Sequence, residues 1–81
     1  MNEEAKDMID TLSSEQVDFV CRETGKKKEE LYFLSDNELD ELYDSMCDIE
    51  IDEAVKADNE GRDISPRGEM AADIVTAWGN I

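Results

Sequence analysis

The sequence predicts a small all-α fold, a single domain spanning residues 1–81 and built as a bundle of four to five helices, one of them long and acidic. Three observations carry that prediction. Apolar residues recur at i, i+3, i+4 and i+7 in successive segments, the period of helices that bury one face. Serine stands at three helix entries, twice with glutamine or glutamate three residues on. No stretch alternates apolar and polar residues long enough to make a strand. Eighty-one residues lie near the lower limit at which one core holds a fold without staples.

The first helix is predicted over Asn2 to Leu12, where Ala5, Met8, Ile9 and Leu12 share a face. Ser13 then caps a second helix, with Gln16 closing a capping box and Leu12 positioned to staple onto Val17. That helix presents Val17, Val20 and Cys21 and stops at Thr24-Gly25, where glycine suits a left-handed end. Lys26-Lys27-Lys28-Glu29-Glu30 leads into Leu31-Tyr32-Phe33-Leu34, read as a short helix of two turns.

Ser35 and Glu38 repeat the entry logic, and the longest helix runs from Asp36 to about Ala57. Leu39, Leu42, Tyr43, Met46, Cys47 and Ile49 fill one arc of it. After Ile49 the pattern slips. Glu50 and Glu53 fall on the apolar arc while Ile51 and Val55 fall outside it, which predicts either a bend or packing against a different surface. A turn-rich link, Asp58 to Asp63, precedes Ser65-Pro66, a serine cap with proline at the first helical position. The last helix, Pro66 to Trp78, buries Met70, Ala71, Ile74, Val75 and Trp78. Trp78 is read as core rather than as an interface anchor.

The composition excludes several function classes. With no histidine, no histidine-based nucleophile activation can operate, and no pair among 23 scattered acids stands out as a catalytic dyad. The sequence therefore predicts a protein that is not an enzyme and that needs no cofactor. Asp58 and Glu69 sit where the ends of an EF-hand loop would, but Asp63 replaces the turn glycine and Arg62 falls on a ligand position. No metal site is expected. Cys21 and Cys47 are too few and too far apart for a disulfide or zinc framework and read as reduced thiols. Met1-Asn2-Glu3-Glu4 is unlike a basic signal start, and no apolar run nears the ~20 residues that span a bilayer, so a cytoplasmic location is expected.

Net charge is −15, from 23 acidic and 8 basic residues. Repulsion by phosphates argues against direct nucleic-acid binding and against anionic membranes, and favours a basic protein partner. Eleven carboxylates and no lysine or arginine lie between Glu29 and Val55. Within that run Asp40, Asp44, Asp48 and Asp52 recur every fourth residue, with Glu38 and Glu41 flanking, opposite the apolar arc. Each like-charge i, i+4 pair costs about 0.2–0.5 kcal/mol, so the row weakens its own helix unless something neutralises it. From Asp36 to Glu53, nine carboxylates spread over ~27 Å give one per ~3 Å, close to the ~3.4 Å of a single DNA strand. Asp40, Glu41, Asp44, Asp48 and Asp52 are the candidate partner-binding residues, and a nucleic-acid-binding protein is one partner they would suit.

Leu12-Ser13-Ser14-Glu15-Gln16-Val17, Met46-Cys47-Asp48-Ile49-Glu50 and Met70-Ala71-Ala72-Asp73-Ile74-Val75 resemble small uncharacterised acidic proteins encoded on phages and conjugative elements of Gram-positive bacteria. The resemblance implies a setting in which such proteins counter host defence, and so a nucleic-acid mimic that inhibits a CRISPR or restriction nuclease. The alternative is a structural or regulatory adaptor that binds through an apolar patch, as a homodimer joined by Ile51 and Val55.

Overall fold

Local signals in the chain set most helix boundaries in the computed structural model, which describes residues 1–81. The helices are α1 (Glu3–Asp10), α2 (Ser14–Thr24), α3 (Lys28–Leu31), α4 (Asp36–Glu60) and α5 (Pro66–Gly79), with no strand. Both capping boxes form. Ser13 Oγ accepts from the Gln16 amide at 3.2 Å while Gln16 Oε1 accepts from the Ser13 amide at 2.9 Å. Ser35 and Glu38 reproduce the pair at 3.2 and 3.1 Å, and Ser65 Oγ accepts from the Gly68 amide at 3.2 Å. Gly25 and Gly61 end α2 and α4 at φ 72° and 64°, the left-handed conformation that a side chain disfavours. Removing one such N-cap costs about 0.5–2 kcal/mol.

α4 and α5 form an antiparallel hairpin. Tyr43 of α4 meets Trp78 near the end of α5, while Glu53, further along α4, meets Arg67 near the start of α5. α1, α2 and α3 close over the N-terminal half of that hairpin. Their Ala5, Ile9, Phe19, Val20 and Leu31 share one core cluster with Leu39, Leu42 and Met46 of α4 and Ala71, Ile74 and Trp78 of α5. Two long-range bonds fix the closure. Trp78 Nε1 donates to the Met8 carbonyl at 2.8 Å, and the Asn2 side chain donates to the Leu34 carbonyl at 2.8 Å.

α4 runs to Glu60, three residues into the expected link, and beyond such shifts at helix ends the structure departs from the sequence reading in four places. α3 is one turn rather than two. Nothing caps its start at Lys27, and Tyr32, where it ends, gives its carbonyl to the Asn2 amide at 2.9 Å, so the chain turns toward α4. Phe33 consequently lies 70% exposed. Phe19, on the side of α2 away from Val17, is buried because Pro66 and Met70 of α5 lie beside it. Tyr43, expected in the core, keeps 38% exposure at the rim of the bundle.

The fourth departure concerns the slip after Ile49. α4 continues as one helix and keeps the same face inward. Leu39, Leu42, Met46, Glu53 and Ala57 are all buried at helical spacing, so a glutamate takes an apolar place. Ser65 Oγ donates to Glu53 Oε2 at 2.8 Å, and Arg67 Nη1 donates to Oε1 at 3.0 Å. Arg67 Nη2 reaches on to Glu23 of α2 at 2.7 Å. The bonds from Ser65 and Arg67 hold the Glu53 carboxyl below the usual carboxylate range. Gly68, buried alongside, leaves room for this contact.

Two predictions follow from the seam. A Cβ at Gly68 would lie 2.6 Å from Ile64 Cγ1 and 2.7 Å from Glu53 Cβ, so Gly68→Ala must push α5 off α4. Its melting temperature should fall despite alanine's better helix propensity, and a rise would show that the seam yields freely. The second prediction concerns pH. Glu53, Glu38 (bonded to Ser35) and Asp10 (bonded to Lys6 and Tyr32) all sit below their ordinary values. A depressed folded value adds stability above the unfolded value and loses it as pH falls through the folded one. Stability should therefore decline on acidification through and below the carboxylate range. Glu53→Gln should lower the melting temperature at neutral pH and flatten that decline in a thermal scan from about pH 7 to about pH 3.

Candidate functional site

α4 holds the candidate residues on the side that faces away from the core. At 100° per residue Leu39, Leu42, Met46, Glu53 and Ala57 cluster inward, which turns Asp40, Glu41, Asp44, Asp48 and Asp52 outward. All five are exposed. The sequence therefore placed the row correctly on the open side of the helix, although its members differ in surroundings.

Asp40, Glu41, Asp44 and Asp48 make no ion pair, whereas Asp52 pairs with Lys56 at 3.1 Å, one turn on. Four of the eight cations are engaged in ion pairs: Lys6 with Asp10, Lys56 with Asp52 and Glu53, Arg62 with Glu60, and Arg67 with Glu23 and Glu53. None of them reaches the first three aspartates of the row. Lys26 approaches one border only, where it shares a shallow depression with Glu38 and Glu41. The uncompensated charge is thus concentrated on the N-terminal two-thirds of the row, and the i, i+4 repulsion there has no internal relief.

The first turn of α4 tolerates acid well, since Asp36 and Glu38 face the positive end of the helix dipole and Ser35 holds the Glu38 carboxyl below its usual range. Asp48 and Asp52, mid-helix, gain nothing from that source. The other end of α4 has no basic residue in its last turn.

Ile51 and Val55 occupy the same outward side. They are 61% and 52% exposed and lie one turn apart, on either side of Asp44 and between Asp40 and Asp48 around the helix. Sequence periodicity had set them apart from the core without placing them among the acids. They stay uncovered because, like the aspartates around them, they lie on the side of α4 turned away from the other helices.

α1 adds residues the sequence reading did not assign. Glu4 and Asp7 line a cleft together with Asp40 and Tyr43 of α4, extending the acidic surface past the edge of the row. Their proximity depends on a tertiary contact more than 30 residues apart in sequence, which helical periodicity cannot reveal. Elsewhere the chemistry is quiet. Cys21 and Cys47 are free thiols, both pushed up by burial, which disfavours the reactive thiolate. No group of three acids and thiols converges as a metal cage. No helix is long and apolar enough to cross a membrane. No protein-family model, curated protein or solved structure matches the chain.

Proposed function

We propose that this protein is a cytoplasmic binding protein whose α4 outer face docks on a basic protein surface. One observation carries the reading: unpaired carboxylates at Asp40, Asp44 and Asp48 share a helix side with the exposed apolar pair Ile51 and Val55. A face serving only solvation has no use for an isoleucine and a valine among its acids, and interleaved lysines would have relieved the repulsion. Carboxylates that steer a basic partner, next to apolar side chains that desolvate on contact, are the two parts of a protein interface.

A nucleic-acid-binding protein is the form of partner the charge spacing favours. Between Asp36 and Glu53, α4 carries one carboxylate per ~3 Å, close to the ~3.4 Å spacing of charge along one nucleic-acid strand. The resemblance to phage and conjugative-element proteins suggests a CRISPR or restriction nuclease as such a partner. The adaptor reading, a homodimer through Ile51 and Val55, is less well supported. A two-fold contact sets the same patch against itself, and Asp44, Asp48 and Asp52 of each copy would then face their counterparts. Like charges brought together in an interface cost several kcal/mol.

Asp44→Asn with Asp48→Asn removes two charges and keeps the shape. The double variant should fold as well as the parent or slightly better, gaining about 0.2–0.5 kcal/mol per relieved pair. In a titration that reads displacement of labelled duplex DNA from a defence nuclease, it should compete less well and with a flatter salt dependence. The loss should fall mostly on the association rate. Glu15→Gln with Asp18→Asn, two exposed acids on α2, is the matched control and should change little. Equal competition by both double variants would reduce the row to solvation.

A further inference from the structure

We propose that the cleft between α1, α4 and α5 seats an arginine side chain of the basic protein that docks on α4. The inference rests on the docking reading above and names the side chain that anchors it. The cleft measures about 320 Å³, at the low end for a ligand pocket and ample for one long side chain. Met8, Tyr43 and Trp78 give it an apolar, aromatic floor, and Glu4, Asp7 and Asp40 stand at its rim.

Each part is held in place. The Trp78 indole is only 6% exposed and is fixed by its bond to the Met8 carbonyl at 2.8 Å. Tyr43 lies against it with ring centroids 6.2 Å apart and planes at 34°, and keeps part of its own ring open to the cleft. The three rim carboxylates are exposed and pair with no cation of the chain, although Lys6 on the same helix is engaged by Asp10 at 2.8 Å. Asp40 belongs at once to this rim and to the α4 row, so the cleft opens at the edge of the proposed docking face.

The chemistry selects the occupant. An apolar floor wants an aliphatic stem, and an aromatic wall ringed by carboxylates wants a cation. A guanidinium meets both demands better than an ammonium. It is planar and weakly hydrated, stacks on aromatic faces, and offers several donors to carboxylates at once. A neutral apolar occupant would leave three acids desolvated without a partner. A second copy of this chain could supply arginine only at the cost of bringing two strongly acidic molecules together.

The only tryptophan of the chain lines the cleft, so its emission reports occupancy directly. The probe is an end-labelled, tryptophan-free helical peptide with arginine along one face, followed by anisotropy for total binding and by Trp78 emission for the cleft. Both signals should follow one isotherm. Lysine in place of arginine should weaken binding several-fold, and citrulline, the neutral isostere, roughly tenfold. Glu4→Gln with Asp7→Asn, both on exposed α1 positions without side-chain bonds, should keep the helicity and lose roughly tenfold in affinity.

Peptide binding that is lost in the Asp44→Asn, Asp48→Asn variant, yet leaves Trp78 emission unchanged and ignores the α1 substitutions, overturns the anchor while the α4 face stands. A Trp78 response that needs Glu4 and Asp7 but ignores Asp44 and Asp48 keeps the anchor and removes the row from the interface. Agmatine, a free guanidinium, binding as tightly as the peptide would make the site one for a small organic cation and overturn the proposal. Emission that changes with protein concentration alone, with a doubled mass, would do the same in favour of self-association. No binding of the arginine peptide at low salt overturns both.

Discussion

The bundle depends on one carboxylate. Glu53 points from α4 into the seam with α5, where Ser65 and Arg67 both donate to it, and Arg67 carries the contact on to Glu23 of α2. Ser65 is also the residue whose oxygen caps α5 through the Gly68 amide. The same hydroxyl therefore starts one helix and ties it to another. A buried carboxylate without partners would be strongly destabilising, so this pairing fixes where α5 begins, how closely Gly68 approaches, and which way α2 leans. Glu53 takes an apolar place on the inward face of α4, between Met46 and the buried Ala57, while Ile51 and Val55 lie on the opposite face, which no helix of the bundle covers.

The local grammar of the chain was legible and the long-range grammar was not. Ser13 with Gln16 and Ser35 with Glu38 act over three residues, so a capping box can be read directly and formed as expected. Gly25 marked the end of α2 for the same reason, whereas Gly61, which ends α4, read only as part of the link. Glu53 was visible only as a fault in the apolar arc. Its explanation, an arginine 14 residues later in the next helix, requires knowing that the two helices fold back as a hairpin. Asn2 reads from the sequence as the first residue of the helix, yet it caps α1 from outside and also donates to the Leu34 carbonyl 32 residues away. The acidic row was legible because periodicity puts it opposite the core. Glu4 and Asp7 were not, since their place beside Asp40 is a product of how α1 docks.

α4 separates the demands of stability from those of recognition. Its inward face supplies Leu39, Leu42 and Met46 to the core, and its ends are secured by Ser35 and Gly61. Its outward face contributes repulsion instead. The helix can carry that repulsion because its hold comes from packing and caps, each cap being worth more than a single like-charge pair. Substitutions on the outer face should then be nearly independent of the fold, since Asp44 and Asp48 share no partner with Glu53 or the core.

The arrangement of cations bears on association. Lys56, Arg62 and Arg67 are each already paired with acid. Asp40, Asp44 and Asp48, with Glu4 and Asp7 on α1, have no paired cation, and on α4 Lys26 borders only Glu38 and Glu41. On the proposed reading a basic surface is drawn to these unpaired carboxylates, an effect that salt screens and that governs the association rate. The contacts that form afterwards are short-ranged. Ile51 and Val55 lose water against the partner, and a guanidinium enters beside Tyr43 and Trp78, so these set how long the complex lasts. Charge would then choose the partner class, and the apolar pair and the cleft would decide which member of that class stays bound.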